Sequence, residues 1–274
     1  MRRSTSRAFV ALFMATASIG LVPSSSGAAQ ATGSVRVVHG LRGVVADVYL
    51  DGGLVLQTFE PERTTDALSL PAGPHQVDVR LAGSAADSTP AVSGTLNVPA
   101  GGSVSAVVHL SGQSTPTMTV FTDEMTQVPA GQTRVVVRHV AAAPPIDVRL
   151  NQQVVASNLA NASQAETDVA PATYELAVGT AGTPGTITPP QNVPLPEGTA
   201  NTMYLIGDQA ASTLAWIAVQ QAGLQTPPAA VQTGNSEVAA SDDGFVRPVW
   251  VAAFMAAAGM GAYTLMRRRR LTVG

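Results

Sequence analysis

The chain of 274 residues contains no cysteine and no lysine. Without cysteine there is neither a disulfide framework nor thiolate chemistry, so any exported part must rest on hydrophobic cores alone. Units of about 90–100 residues are large enough for that. All fifteen basic residues are Arg, a bias read as genomic base composition rather than function. Aromatic residues make up only 4%, which argues against a stacking surface for sugars. Enzyme signatures are missing as well. There is no GxSxG elbow, no HExxH pair, and no Gly-rich phosphate loop between a strand and a helix. Gly259-Met260-Gly261 falls inside an apolar run and carries no such meaning.

The charge that is present is segregated. Arg2, Arg3 and Arg7 lie at the N-terminus, and Arg247, Arg267, Arg268, Arg269 and Arg270 at the C-terminus. Between them, eighteen acidic residues against seven Arg leave the middle at −11. An acidic middle excludes nucleic acid, which requires a basic face to replace counterions. The basic ends read as topology signals. "MRRSTSR" and the apolar "AFVALFMATASIGLV" precede the small-residue cluster "PSSSGAAQA". This is the pattern of a signal peptide over 1–31, cleaved after Ala29 or Ala31. An uncleaved first transmembrane helix is the alternative, and a twin-Arg route a weaker one.

At the other end, Val249–Met266 is eighteen residues without a charge, enough to cross a hydrocarbon core of about 30 Å. Trp250 and Tyr263 flank the run, and Arg267–Arg270 follow at once. Positive residues stay cytoplasmic, so the expectation is a helix over 248–266, a basic inner tail over 267–274, and everything before it outside. Ala253, Ala257 and Gly261 form a small-xxx-small stripe that would let two such helices dimerise. The segment 222–247 reads as a flexible stalk; its stretch 226–244 has no apolar period and, as a coil of about 20 residues, spans about 25 Å on average.

Between the ends the chain repeats itself. "VRVVHGLRGVVADVYLDGG" (35–53) returns as "VVVRHVAAAPPIDVRLNQQ" (135–153), with His39 and Asp47 answered by His139 and Asp147. "VPAGGSVSAVVHL" (98–110) returns as "LPEGTANTMYLIG" (195–207). The offset shrinks from 100 to 97 residues between these pairs, as a shortened loop would make it. In each copy, short Val-, Thr- and Leu-rich runs alternate with turn residues every 8–12 positions, the sequence form of a sandwich. In the first copy the strands are expected near 34–39, 45–50, 54–59, 66–70, 75–81, 92–98, 103–110 and 116–122. The fold class is therefore all-β, with two tandem β-sandwich domains over 34–124 and 133–221, besides the signal peptide and the single C-terminal transmembrane helix. A period near 100 suits independent domains, with 122–133 as a joint.

These same residues, "VRVVH…VADVYLDGG…LSLPAGPHQVDVRLAG…NVPAGGSVSAVV", resemble the bacterial family known as domain of unknown function 4397. The resemblance covers about 35–124 and 134–221. It implies immunoglobulin-like sandwiches on secreted or surface-anchored proteins, with no settled activity. Where the family carries an SPDAP loop after the His, this chain has "GLRGVVA" and "VAAAPPI". Both lack the loop's Asp, and the first lacks its prolines.

His39 and His139 invite a metal reading, but a metal site needs three or four converging protein ligands, and each copy offers His, Asp and little more. His75 and His109 are replaced by Tyr174 and Ile206 in the second copy. The histidines are therefore read as structural, ending an edge of the core with their nitrogens satisfied by the backbone or the next turn. Asp47 and Asp147 are read as turn-locking residues on the outer face, bonded to the preceding loop and within reach of Arg36, Arg138 and Arg149. Asp51-Gly52-Gly53 and Asn151-Gln152-Gln153 are read as hairpin turns, since the alternating calcium-loop acids are missing. No cofactor and no metal are expected.

The function expected from these residues is that of a non-enzymatic surface protein in the cytoplasmic membrane of a bacterium, a binding, adhesion or envelope-structural module. Its expected partners are the lipid bilayer, through the C-terminal helix, and envelope polymers or surface proteins. An accessory subunit of a membrane complex is the alternative, and an envelope hydrolase with an unrecognised site a more distant one.

Overall fold

The computed structural model describes residues 30–225, which form sixteen β-strands and no helix. The expected signal peptide, most of the stalk, the anchor with Ala253, Ala257 and Gly261, and Arg267–Arg270 lie outside the described residues.

The first eight strands are β1 (Thr32–His39), β2 (Ala46–Leu50), β3 (Gly53–Phe59), β4 (Leu68–Pro71), β5 (Gly73–Leu81), β6 (Val92–Val98), β7 (Ser103–Leu110) and β8 (Pro116–Thr122). They make two four-stranded sheets, ordered β4-β1-β7-β8 and β3-β2-β5-β6. Val35, Val104, Ala106 and Val108 from one sheet meet Val48, Val77, Val79 and Leu96 from the other in a single core. Two sheets closed on a shared apolar layer are the arrangement of a β-sandwich.

The next eight are β9 (Thr133–His139), β10 (Ile146–Leu150), β11 (Gln153–Leu159), β12 (Ser163–Val169), β13 (Ala172–Thr180), β14 (Gln191–Leu195), β15 (Ala200–Ile206) and β16 (Ala215–Gln221). Their sheets run β12-β9-β15-β16 and β11-β10-β13-β14. The strand order repeats the first set position by position, down to the parallel pairing of β1 with β7 and of β9 with β15. A second core forms from Val135, Val137, Met203 and Leu205 against Ile146, Val148, Leu176 and Val178.

The backbone repeats with the same offset. Asp51 and Asn151 both sit at φ 48°, Thr58 and Asn158 at 51° and 52°, Glu62 and Ala162 at 61°. Asp51 and Gly52 link Leu50 directly to its partner Gly53, both with positive φ. A two-residue hairpin loop of that kind matches the strand twist. Thr58 is the costly member of the set, because a β-branched side chain crowds the backbone in the left-handed region. It is exposed and its side chain makes no hydrogen bond, so Thr58→Asn, the residue of the second copy, is expected to stabilise the protein by about 1 kcal/mol. A urea midpoint unchanged or lowered in that variant would show that the strain is relieved elsewhere.

A period near 100 suggests independent domains, yet the two sets of strands share a third apolar cluster. Val38, Val107 and Phe121 of the first pack against Val140, Tyr204, Ile206 and Ile217 of the second. The cause is visible in β1 and β9. Each turns alternate residues into its own core, as period-two geometry requires, and presents its other face to the neighbouring sandwich. All seven residues of β9 are buried as a result. The strands that face each other come from corresponding sheets of the two copies.

Candidate functional site

His39 and Asp47 do not converge on a common site, and neither do His139 and Asp147. Each His closes β1 or β9 and folds back on its own turn. The Nδ1 of His39 accepts from Leu41 N at 3.3 Å and that of His139 from Ala141 N at 3.4 Å. The Nε2 of His139 then donates to Pro144 O at 3.1 Å. At His39 the Nε2 is buried and completes no hydrogen bond, although the Val44 backbone pulls towards protonation; the loop that offers Pro144 in the second copy is "GLRGVVA" in the first. Burial holds both imidazoles below their ordinary pKa.

Asp47 and Asp147 lock the fold, but by other partners than the sequence suggests. Asp47 accepts from Thr58 N at 2.7 Å and Gly83 N at 3.0 Å. Asp147 accepts from Asn158 N at 2.9 Å and Gly182 N at 3.0 Å. These bonds tie the bulged third strand of each copy, and the loop after its fifth, to the second strand; the preceding loop takes no part. The Gly182 and Asn158 amides hold the Asp147 carboxyl below the usual range. Asp47 lies on the strand face opposite the core residues Ala46 and Val48, yet it is covered there to 5% exposure. A carboxylate that satisfies two backbone donors becomes worth burying.

His75 and Tyr174 turn out to do one job with different chemistry. The Nε2 of His75 reaches Pro71 O at 2.9 Å, and the hydroxyl of Tyr174 reaches Ala170 O at 2.8 Å. Asp51, at 2.7 Å from His75 Nδ1, raises the His75 pKa by its hydrogen bond.

The polar centre of the molecule lies between the sandwiches and was missed in the sequence. Arg138, expected on the outer face beside Asp147, is 1% exposed. Its Nε donates to Gln164 Oε1 at 3.0 Å, one terminal nitrogen to Tyr204 Oη at 2.8 Å, and the other to Thr122 O at 3.0 Å and Asp123 Oδ1 at 2.8 Å. The guanidinium also stands 4.7 Å from the Phe121 ring and 5.3 Å from the Tyr204 ring, within cation–π range. Tyr204 donates to Ser105 Oγ at 3.1 Å, and Ser105 to Asp123 at 2.9 Å. The loop closes on itself with every charged nitrogen satisfied, and burial raises the Tyr204 pKa. The only sequence signal was the mismatch of copies, since Arg138 occupies the place of Val38 and Tyr204 that of Val107.

Beside this network a polar cleft of about 70 Å³ opens between the sheets. Its walls carry Ser34, Arg36 and Ser103 from the first sandwich and Gln164, Glu166 and Thr202 from the second. Arg36, half-buried on β1, donates to Thr65 O at 2.7 Å rather than to Asp47. Among the described residues no group of three or more His, Asp or Glu is placed to hold a metal ion. Phe121 is buried and Trp216 partly buried in the apolar clusters.

Residues 33–149 match the model of a domain of unknown function (DUF4397); a DUF4397 domain thus covers all of the first sandwich and runs into β10. No curated protein matches the chain. Among solved structures, the Bacillus anthracis TIE protein is similar at 15% identity over 64% of this chain and 34% of that one, with a TM-score of 0.22. The chain therefore spans about a third of that structure's length.

Proposed function

We propose that the protein is a non-enzymatic binding module of a bacterial surface. In this reading two immunoglobulin-like sandwiches, the second a further copy of the DUF4397 domain, are exported and held outside the cytoplasmic membrane by one C-terminal helix. The observation that carries the binding role is the joint. Two corresponding sheets, one from each copy, close over a satisfied charged network and leave a polar cleft along it, and sites between domains are where ligands are commonly held. The copy relation is supported by the repeated strand order and the repeated left-handed positions. Export and anchoring are supported by the sequence at the two ends, above all by the four Arg that abut the apolar run.

The test is made on intact cells producing the full chain with a tag after Gly274. Protease added outside is expected to remove the sandwiches and leave a tagged membrane fragment. A full-length chain that stays protected in intact cells, or that fractionates with the cytosol, overturns the surface reading.

A further inference from the structure

We propose that the cleft between the sandwiches is a carboxylate-binding site and that Arg36 is its recognition residue. One charge at the cleft is left unpaired. Of the three Arg in and beside the cleft, two are compensated: Arg138 by Asp123 at 2.8 Å, and Arg134 by Glu166 at 3.0 Å and Asp168 at 3.2 Å. Arg36 forms no ion pair among the described residues. It spends one N–H on Thr65 O and leaves the remainder of a five-donor fork without a protein acceptor. A guanidinium drawn half out of water and left unpaired favours an anion that restores its hydrogen bonds.

The shape of the fork selects the anion. Two parallel N–H groups match the two oxygens of a carboxylate, which a point charge such as Lys would not do. The acids nearby limit the charge a ligand can carry. Asp123, Glu124 and Glu166 also line the cleft; Asp123 is paired with Arg138, Glu166 shares Arg134 with Asp168, and Glu124 stands exposed at the mouth. A second negative charge on the ligand would meet that carboxylate, so a monoanion is preferred over a phosphate dianion. The hydroxyls of Ser34 and Thr202, on opposite walls, make no hydrogen bond among the described residues and are free to bind the ligand's oxygens.

Size sets the remaining limit. One water needs about 10–15 Å³ of cavity, so a cleft of about 70 Å³ admits a carboxylate and a short stem, with the rest of the ligand outside. The second copy places Val136 in the same cleft where the first has Arg36, so the recognition is one-sided. Two sources share this chemistry, a small free acid and the C-terminal carboxylate of a peptide. The inference deepens the binding-module reading and rests on it only for which source the site would meet.

The full chain in detergent is titrated calorimetrically with acetate, with N-acetyl-alanyl-alanine, and with the C-terminal amide of that dipeptide. Saturable binding of a carboxylate probe, a raised Tm in its presence and no binding of the amide are expected. Binding of acetate and dipeptide alike points to a small acid, and binding of the dipeptide alone to a peptide terminus. Arg36→Gln is expected to weaken binding at least tenfold, and Arg36→Lys to recover only part of it. Thr202→Leu narrows the opposite wall without touching Arg36; it is expected to abolish binding and decides the matter should the Arg36 variants not fold. No saturable binding by either probe, or undiminished affinity in the folded variants, overturns the site. That failure would leave the protease result on intact cells untouched, and a cytosolic chain that still binds carboxylate would sink the surface reading alone.

Discussion

Arg138→Met should cost the protein about 3–5 kcal/mol, as breaking a buried charge pair from one side does. The methionine fills most of the space, so the loss is electrostatic more than steric. Asp123 would keep its two serine hydroxyls, Ser103 at 3.3 Å and Ser105 at 2.9 Å, but lose its cation. Tyr204 would lose the donor to its hydroxyl, and Gln164 and Thr122 O theirs. Because these partners come from both sandwiches, the loss falls on the joint, and urea unfolding followed by fluorescence should show an earlier midpoint. Removing the acid as well, in Arg138→Met with Asp123→Leu, should recover part of that loss, since an apolar pair leaves no orphaned charge. The corresponding residue of the first copy is Val38, which shows that this strand position accepts an apolar side chain. A single variant as stable as the parent would mean that the network is ornamental and that the apolar cluster alone joins the sandwiches.

Acid should destabilise the protein well before its carboxylates titrate. His39, His109 and His139 are at most 2% exposed, and burial lowers the pKa of all three. The hydrogen bonds explain why the neutral form is kept. Nδ1 of His39 and of His139 accepts a backbone N–H, and His109 gives Nδ1–H to Leu110 O at 2.8 Å while Nε2 takes the Thr119 hydroxyl at 2.8 Å. A second ring proton on His39 or His139 would face a backbone donor, and on His109 it would require the Thr119 hydroxyl to turn and accept. The folded pKa values lie below the ordinary value of about 6.5, so an unfolding chain takes up protons that the folded one lacks. Stability is therefore full above about pH 6.5 and falls as pH drops through the folded values. Each such group adds at most about 1.4 kcal/mol per pH unit to the slope. His75 works the other way, because Asp51 raises its pKa and its stabilisation is lost as pH rises; at the surface that contribution is small. Urea midpoints at pH 7.5 and pH 5 measure the difference. His109→Ile, which copies Ile206 of the second sandwich, should flatten the slope. A midpoint independent of pH across that range would refute the neutral-histidine account.

Much of the fold was legible because it depends on local rules. Alternation in "SVRVVH" and "ADVYL", turn residues at Asp51 and Asn151, and an eight-residue step from His to Asp in each half fixed the strands, the hairpins and the repeated strand order. Those features need only the period of a strand and the left-handed tolerance of Asp, Asn and Gly. The roles of the Asp residues were only half legible. That Asp47 and Asp147 would bond backbone amides follows from their type, but the donors sit 11 and about 35 residues away, at Thr58 and Gly83 and at Asn158 and Gly182. No local pattern marks such donors.

What the sequence determined by itself is the all-β class, the repeat and its register, and the positions of the histidines at strand ends. Tertiary structure alone decided that the two sandwiches share a face, that Arg138 is buried within it, and that Arg36 is left over in the cleft beside it. The reason is that a strand has two faces and the sequence labels only one of them. Val35 and Val37 announce a core whichever neighbour is present. Whether the other face, with Arg36, Val38, Val136 and Arg138, meets water or a second sheet is fixed only when the two copies dock, and charge then has to be paired or left open within that contact.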